Sequence, residues 1–227
     1  MQEQNKYTIP NLPLPYDLET KEVLKQLNRA NRKLAELKGV AQTIPNERIL
    51  ISSLTLQEAK DSSAVENIVT TQDDLYRAGL DFSHQFINAA TKEVLFYREA
   101  INEGFRMVRN KEVLTLNDIK HVQQILEQNS AGFRITPGTQ LKRENDGAII
   151  YTPPQDGQDI VKYMSNLEQF INDEQMSQLD PLIKMAIIHH QFESIHPFYD
   201  LQMPPFQKGT NPLGLFLSNL SWMTSLR

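Results

Sequence analysis

The chain contains no cysteine, so it can form neither disulfides nor thiolate metal sites, which fits a reducing compartment. No uninterrupted apolar run exceeds four residues, far short of a membrane span. Basic residues are too few for a nucleic-acid surface: 23 Lys and Arg face 28 Asp and Glu, for a net charge of −5. The opening Met1-Gln-Glu-Gln-Asn-Lys6 has no apolar segment of the signal-peptide kind. These absences predict a cytoplasmic protein with neither membrane nor nucleic-acid partners. What is present suffices for a core, since 227 residues that are 40% hydrophobic can build one full domain with a small N-terminal appendage.

Along the chain, residues 1–16 are polar and carry Pro10, Pro13 and Pro15, which predicts an extended arm lying on the surface. From Asp17, Leu18, Val23, Leu24, Leu27, Leu34 and Leu37 recur at helical spacing up to Lys38-Gly39. A second helix is expected from Pro45-Asn46 to Ala59, and Ser62 or Ser63 offers an N-cap to another. Residues 73–109 read as two helices, with Phe86, Ala90, Val94, Leu95, Tyr97 and Ile101 on one apolar stripe. Thr115-Leu-Asn-Asp118 opens a helix to about Gln128. The glycines at 132, 138 and 147 then mark a change of character. Short runs over Thr139–Lys142 and Ala148–Thr152 flank Glu144-Asn-Asp-Gly147, the signal of a β-hairpin. Helices return over Asp159–Asn172 and Asp180–Ile195.

The chemistry concentrates where that last helix stops. In Ile195-His196-Pro197-Phe198-Tyr199-Asp200, the proline forces the preceding histidine out of helical geometry. A base and a carboxylate ligand can thereby meet in one mouth, with Leu182, Ile183, Ala186, Ile187 and His190 behind them as a rigid apolar stripe and His190 as a satisfied core histidine. A rival constellation is a metal site from His189, Glu193 and His196, but ligands spaced four and three apart on one helix do not easily surround an ion.

His196, Phe198 and Asp200 match the start of the signature of the Fic/Doc family of protein adenylyltransferases, His-x-Phe-x-Asp/Glu followed by Gly-Asn-Gly-Arg-x-x-Arg. Two further stretches carry the resemblance. Ser62-x-x-x-Glu66-Asn67 is similar to the inhibitory signature of the class whose inhibitory helix precedes the core. Gly132-Phe-Arg-Ile-Thr-Pro-Gly-Thr139, with Tyr151-Thr-Pro-Pro154, looks like the family's flap. The resemblance implies a mostly α fold, a Fic-type helical bundle with one β-hairpin flap and an N-terminal helical extension. It divides the chain into an arm and helical region over 1–70 with the inhibitory helix at about 62–70, a core over 71–200 with the flap at about 134–152, and an atypical tail over 201–227.

The implied activity is transfer of AMP from ATP to a Ser, Thr or Tyr hydroxyl of a target protein. His196 would be the general base, for which an ordinary imidazole pKa of about 6.5 is suited. Asp200 would hold Mg²⁺, one carboxylate being enough beside phosphate oxygens and water. Phe198 would pack the loop inward, and Thr139, Gln140, Leu141 and Lys142 would dock the target as an added strand. Ser62, Glu66 and Asn67 would form the inhibitory helix, with the glutamate competing for an arginine that phosphate needs.

The second half of the signature is missing. After Asp200 the chain reads Leu201-Gln-Met-Pro-Pro205, and residues 201–227 carry only Lys208 and Arg227 as charges, with three prolines and no acid. No phosphate-binding residue is readable, because amide nests at helix starts are what cradle phosphates and none is encoded there. The expectation is therefore a weak or inactive form, either through a reading-frame change after codon 200 or by divergence. The alternative is a non-enzymatic remnant or peptide-binding module.

Overall fold

The computed structural model describes residues 7–41, 43, 56–57, 59–61, 70–71, 75, 88–111, 113–143 and 145–199. Asp200, the Ser62, Glu66 and Asn67 trio, Phe86 and the 201–227 tail lie outside the described residues. The order is α1 (Lys21–Ala41), α2 (Ala89–Lys111), α3 (Leu116–Glu127), β1 (Leu141–Lys142), β2 (Ile149–Tyr151), α4 (Gly157–Asn172), a 3-10 turn (Glu174–Met176) and α5 (Pro181–Ile195). The protein is thus mostly helical with one antiparallel hairpin, as the sequence predicts. No described helix is long and apolar enough to cross a membrane.

The core forms where the helical stripes meet. Val94, Tyr97, Met107 and Val108 of α2 join Ile119 and Val122 of α3, and Ile160, Met164, Leu167 and Phe170 of α4 join Ile188, Phe192 and Ile195 of α5, all buried. Each such side chain contributes roughly 1.5–3 kcal/mol by leaving water, so this layer positions everything that follows.

Local chemistry sets the helix ends. Thr115 caps α3: its side chain accepts from the Asp118 N–H, and the Asp118 carboxylate accepts from the Thr115 N–H at 3.0 Å and from the Thr115 hydroxyl at 2.6 Å. Lys111, at the end of α2, donates to the other oxygen of Asp118 at 2.6 Å. The link between α2 and α3 is also pinned to α4, since Leu114 N–H donates to Asn172 Oδ1 and Leu116 N–H to Glu168 Oε1. Asp180 caps α5 with Pro181 in the first turn, where a missing N–H costs nothing.

Burial alone would raise the Asp118 carboxyl, but the hydrogen bonds from Lys111 and Thr115 and the Lys111 charge outweigh it, so its pKa is lowered. A depressed carboxyl stabilises the fold above its unfolded pKa of about 3.9, and that stability is lost as pH falls through the folded value. Asp118→Ala is expected to cost about 2 kcal/mol in urea melts at neutral pH, with the deficit against wild type shrinking in acid.

Three expectations are corrected. The N-terminal arm does not simply lie on the surface, because Ile9 and Leu12 are buried in the core. Asn166 satisfies the Leu12 backbone in both directions, accepting at 2.7 Å and donating at 2.9 Å, and Gln191 donates to the Pro10 carbonyl. The first helix begins at Lys21 rather than Asp17, with the Thr20 hydroxyl accepting from the Val23 N–H. The hairpin is shorter than its runs: β1 comprises only Leu141 and Lys142, so Thr139 and Gln140 precede the strand. Gln155 occupies that stretch instead, accepting from Gly138 N–H and donating to the Thr139 carbonyl.

Candidate functional site

The last turn of α5 leaves carbonyls without intrahelical partners, because the chain turns out of the helix at His196-Pro197. His196 ends the helix with φ 47° and ψ 63°, its N–H still donating to the Phe192 carbonyl at 2.9 Å. This is left-handed backbone, which side chains with a Cβ seldom adopt. Four consecutive carbonyls then find donors in the flap. Tyr151 OH donates to Ser194 O at 2.6 Å, Arg134 Nη2 to Ile195 O at 3.2 Å, Arg134 Nε to His196 O at 2.6 Å, and Arg134 N–H to Pro197 O at 2.8 Å.

Aromatic packing continues the lock. Phe198 is buried, with ring centroids 5.2 Å from Phe133 and 6.3 Å from Phe192. Tyr199 OH accepts from the Ile135 N–H at 2.9 Å, and this bond with one from Thr136 lowers its pKa. Burial pushes the Tyr151 hydroxyl up to about 12, so it stays a neutral donor to the helix end through the physiological range. Gly157, at the start of α4, abuts the flap: a Cβ there would lie 3.2 Å from Ile135 Cα.

The site residues named from the sequence thus separate. His196 and Phe198 sit together, held by the flap, while β1 with Leu141 and Lys142 belongs to the same hairpin as Tyr151. The stripe behind His196 is not the expected one. Ile187, Ile188, Gln191, Phe192 and Ile195 face the core, whereas Ala186 and His190 are exposed, so His190 is no core histidine; its ring meets Tyr7 edge-on. His189, Glu193 and His196 do not form a metal centre, and among the described residues no three His, Asp or Glu side chains are placed to hold an ion.

Arg134 and Tyr151 were not singled out by sequence reasoning, although both fall in the flap stretches. The available signal was the helix end itself: a stop at His-Pro leaves carbonyls needing donors from elsewhere in the chain.

His196 and Arg134 are both buried, and the Arg134 Nε and Nη2 groups donate to backbone carbonyls. The described residues end at Tyr199, before the stretch in which the signature would place a phosphate cradle.

Comparison with known proteins bears on the fold. A family profile described as Fic/DOC family N-terminal covers residues 24–106, and one described as Fic/DOC family covers residues 113–200. A Fic family protein from Desulfovibrio desulfuricans G20 superposes with a TM-score of 0.66 at 18% identity, over 91% of this chain and 58% of its own. A Fic domain containing signaling protein from Bacteroides thetaiotaomicron VPI-5482 gives 0.65 at 16%, over 84% and 70%. A fragment of Fic-1 from C. elegans with a Glu-to-Gly change gives 0.63 at 16%, over 91% and 60%. The chain therefore spans about three fifths of the length of two of these three structures.

Proposed function

The chain belongs to the Fic/DOC family, and on that premise we propose that it is built for AMP transfer from ATP to a Ser, Thr or Tyr hydroxyl of a target protein, in a form that has lost the phosphate half of the reaction. The observation that carries this reading is His196, rigidly presented at the end of α5 beside a hairpin. In this role His196 takes the proton of the target hydroxyl as that oxygen becomes a nucleophile. Phe198 keeps the turn packed, and residues 139–142, of which Leu141 and Lys142 form β1 paired with the Tyr151 strand, would dock a target segment. Asp200 would supply the carboxylate for Mg²⁺, and Ser62, Glu66 and Asn67 the inhibitory helix, whose arginine partner is not encoded after Asp200.

Phosphoryl-type transfer depends chiefly on positioning and charge neutralisation, so a base without a cradle should not turn over. Incubating the 227-residue chain with α-labelled ATP, Mg²⁺ and candidate proteins is expected to leave no label above background. Covalent AMP on any protein, dependent on His196, would overturn the impairment.

A second reading is a peptide-binding module without catalysis. It is favoured by the hairpin, in which β1 pairs with β2 alone among the described residues, leaving its other edge for an added strand. A chain that captures an extended peptide while ignoring Mg-ATP would support this reading.

A further inference from the structure

We infer that Arg134 is a positioning residue for His196, fixing the backbone from which the imidazole projects. The inference rests on reading His196 as the base, although the geometry does not require nucleotide. A left-handed residue at a helix end is usually glycine, because a Cβ there costs roughly 1–2 kcal/mol. The second bond that normally closes such an end would come from the next N–H, and Pro197 has none. Arg134 instead holds the carbonyls at and just beyond the cap. One residue satisfies the carbonyls of Ile195, His196 and Pro197 in succession, two by its guanidinium and one by its own N–H.

The arginine is fully buried, and taking a guanidinium out of water is costly unless it is hydrogen-bonded. Here those bonds run to the carbonyl end of α5, where a cation also meets the negative end of the helix dipole. The planar fork can reach two adjacent carbonyls at once, which a lysine ammonium cannot do in the same fixed geometry. The tilted ring pair of Phe133 and Phe198 keeps the segment against the turn. Among the described residues, all these contacts come from positions before Asp200.

The test uses the whole chain with ¹⁵N-labelled histidine and follows the His196 ring nitrogens through a pH titration in wild type, Arg134→Met and Arg134→Lys. Tyr151→Phe, which removes a neighbouring bond to the same helix end, serves as the comparison. Arg134→Met is expected to lose the wild-type His196 ring signals in favour of shifted ones with an altered titration, with His121 unmoved. Arg134→Lys should restore part of the change, and Tyr151→Phe should disturb His196 less than Arg134→Met. A folded Arg134→Met chain whose His196 titration superimposes on wild type would overturn the inference. If that variant fails to fold, hydrogen exchange at Arg134 Nε–H in wild type decides: protection well beyond that of exposed Arg29 and Arg32 upholds the inference, and exchange at their rate overturns it. No readout involves nucleotide, so absence of AMP transfer leaves the result intact.

Discussion

Inserting Gly-Asn-Gly-Arg-x-x-Arg directly after Asp200, followed by a helix-forming segment in place of the native tail, is expected to raise AMP incorporation by about 10³-fold or more over the native chain. The magnitude follows from what such groups contribute elsewhere: a single transition-state arginine is worth about 10³–10⁵ in phosphoryl transfer, and one oxyanion donor about 10²–10³. The graft adds backbone amides at a helix start and two arginines beside the proposed base, whose helix end Arg134 and Tyr151 already hold. Two controls interpret the gain. His196→Ala in the grafted chain should return it to background, since the hydroxyl would have no base. Glu66→Gly in the grafted chain should raise activity further, because the graft restores the arginine with which the proposed inhibitory glutamate pairs. Labelled-AMP transfer measured across these variants checks both expectations; a graft no better than the native chain would show that more than the loop is missing.

The largest stability effect is expected at Phe192. Its side chain is fully buried in α5, and its ring backs Phe198. Phe192→Ala should cost about 3–5 kcal/mol, the sum of lost burial and the cavity left behind. Because the ring also supports the turn, the loss should reach the site: Phe198 and Tyr199 would lose protection from hydrogen exchange together with Ile195. Leu24→Ala is the contrasting case. That side chain lies on α1 and is 43% exposed, so its replacement should fall within about 0.5 kcal/mol of wild type. Urea denaturation of both variants measures the difference.

The parts of the fold legible in the sequence are those set by neighbouring residues. Thr115 with Asp118 announces the start of α3, Asp180-Pro181 begins α5, and His196-Pro197 ends it. The hairpin follows from its Asn145-Asp146-Gly147 turn, in which the Gly147 N–H donates to the Arg143 carbonyl and the Arg143 N–H to Ala148. What escaped the sequence depends on groups distant in the chain. The proline-bearing arm looked solvated because nothing local satisfies its backbone, yet Asn166 and Gln191 provide the partners that let Ile9 and Leu12 be buried. His190 falls on an apolar stripe in one dimension, but α5 turns the neighbouring face to the core.

The candidate site shows the same division. His196 and Phe198 were named through the motif they begin, and the structure places both in the turn after α5. Arg134 was not, because arginine in a loop ordinarily reads as solvated charge. Only the three-dimensional return of the flap onto α5 shows that this side chain faces inward. Exposure of the helix-end carbonyls creates the need, and a residue 62 positions away meets it.

The central proposal is that His196 is a positioned base without a phosphate cradle, and titration of the 227-residue chain with Mg-ATP tests it most directly. Isothermal calorimetry should give no saturable heat up to millimolar nucleotide, with or without Mg²⁺, while the protein melts cooperatively as a folded domain. Saturable micromolar binding that depends on Mg²⁺ and is lost in Asp200→Ala would contradict the account, and would mean that residues 201–227 build a phosphate site by another route.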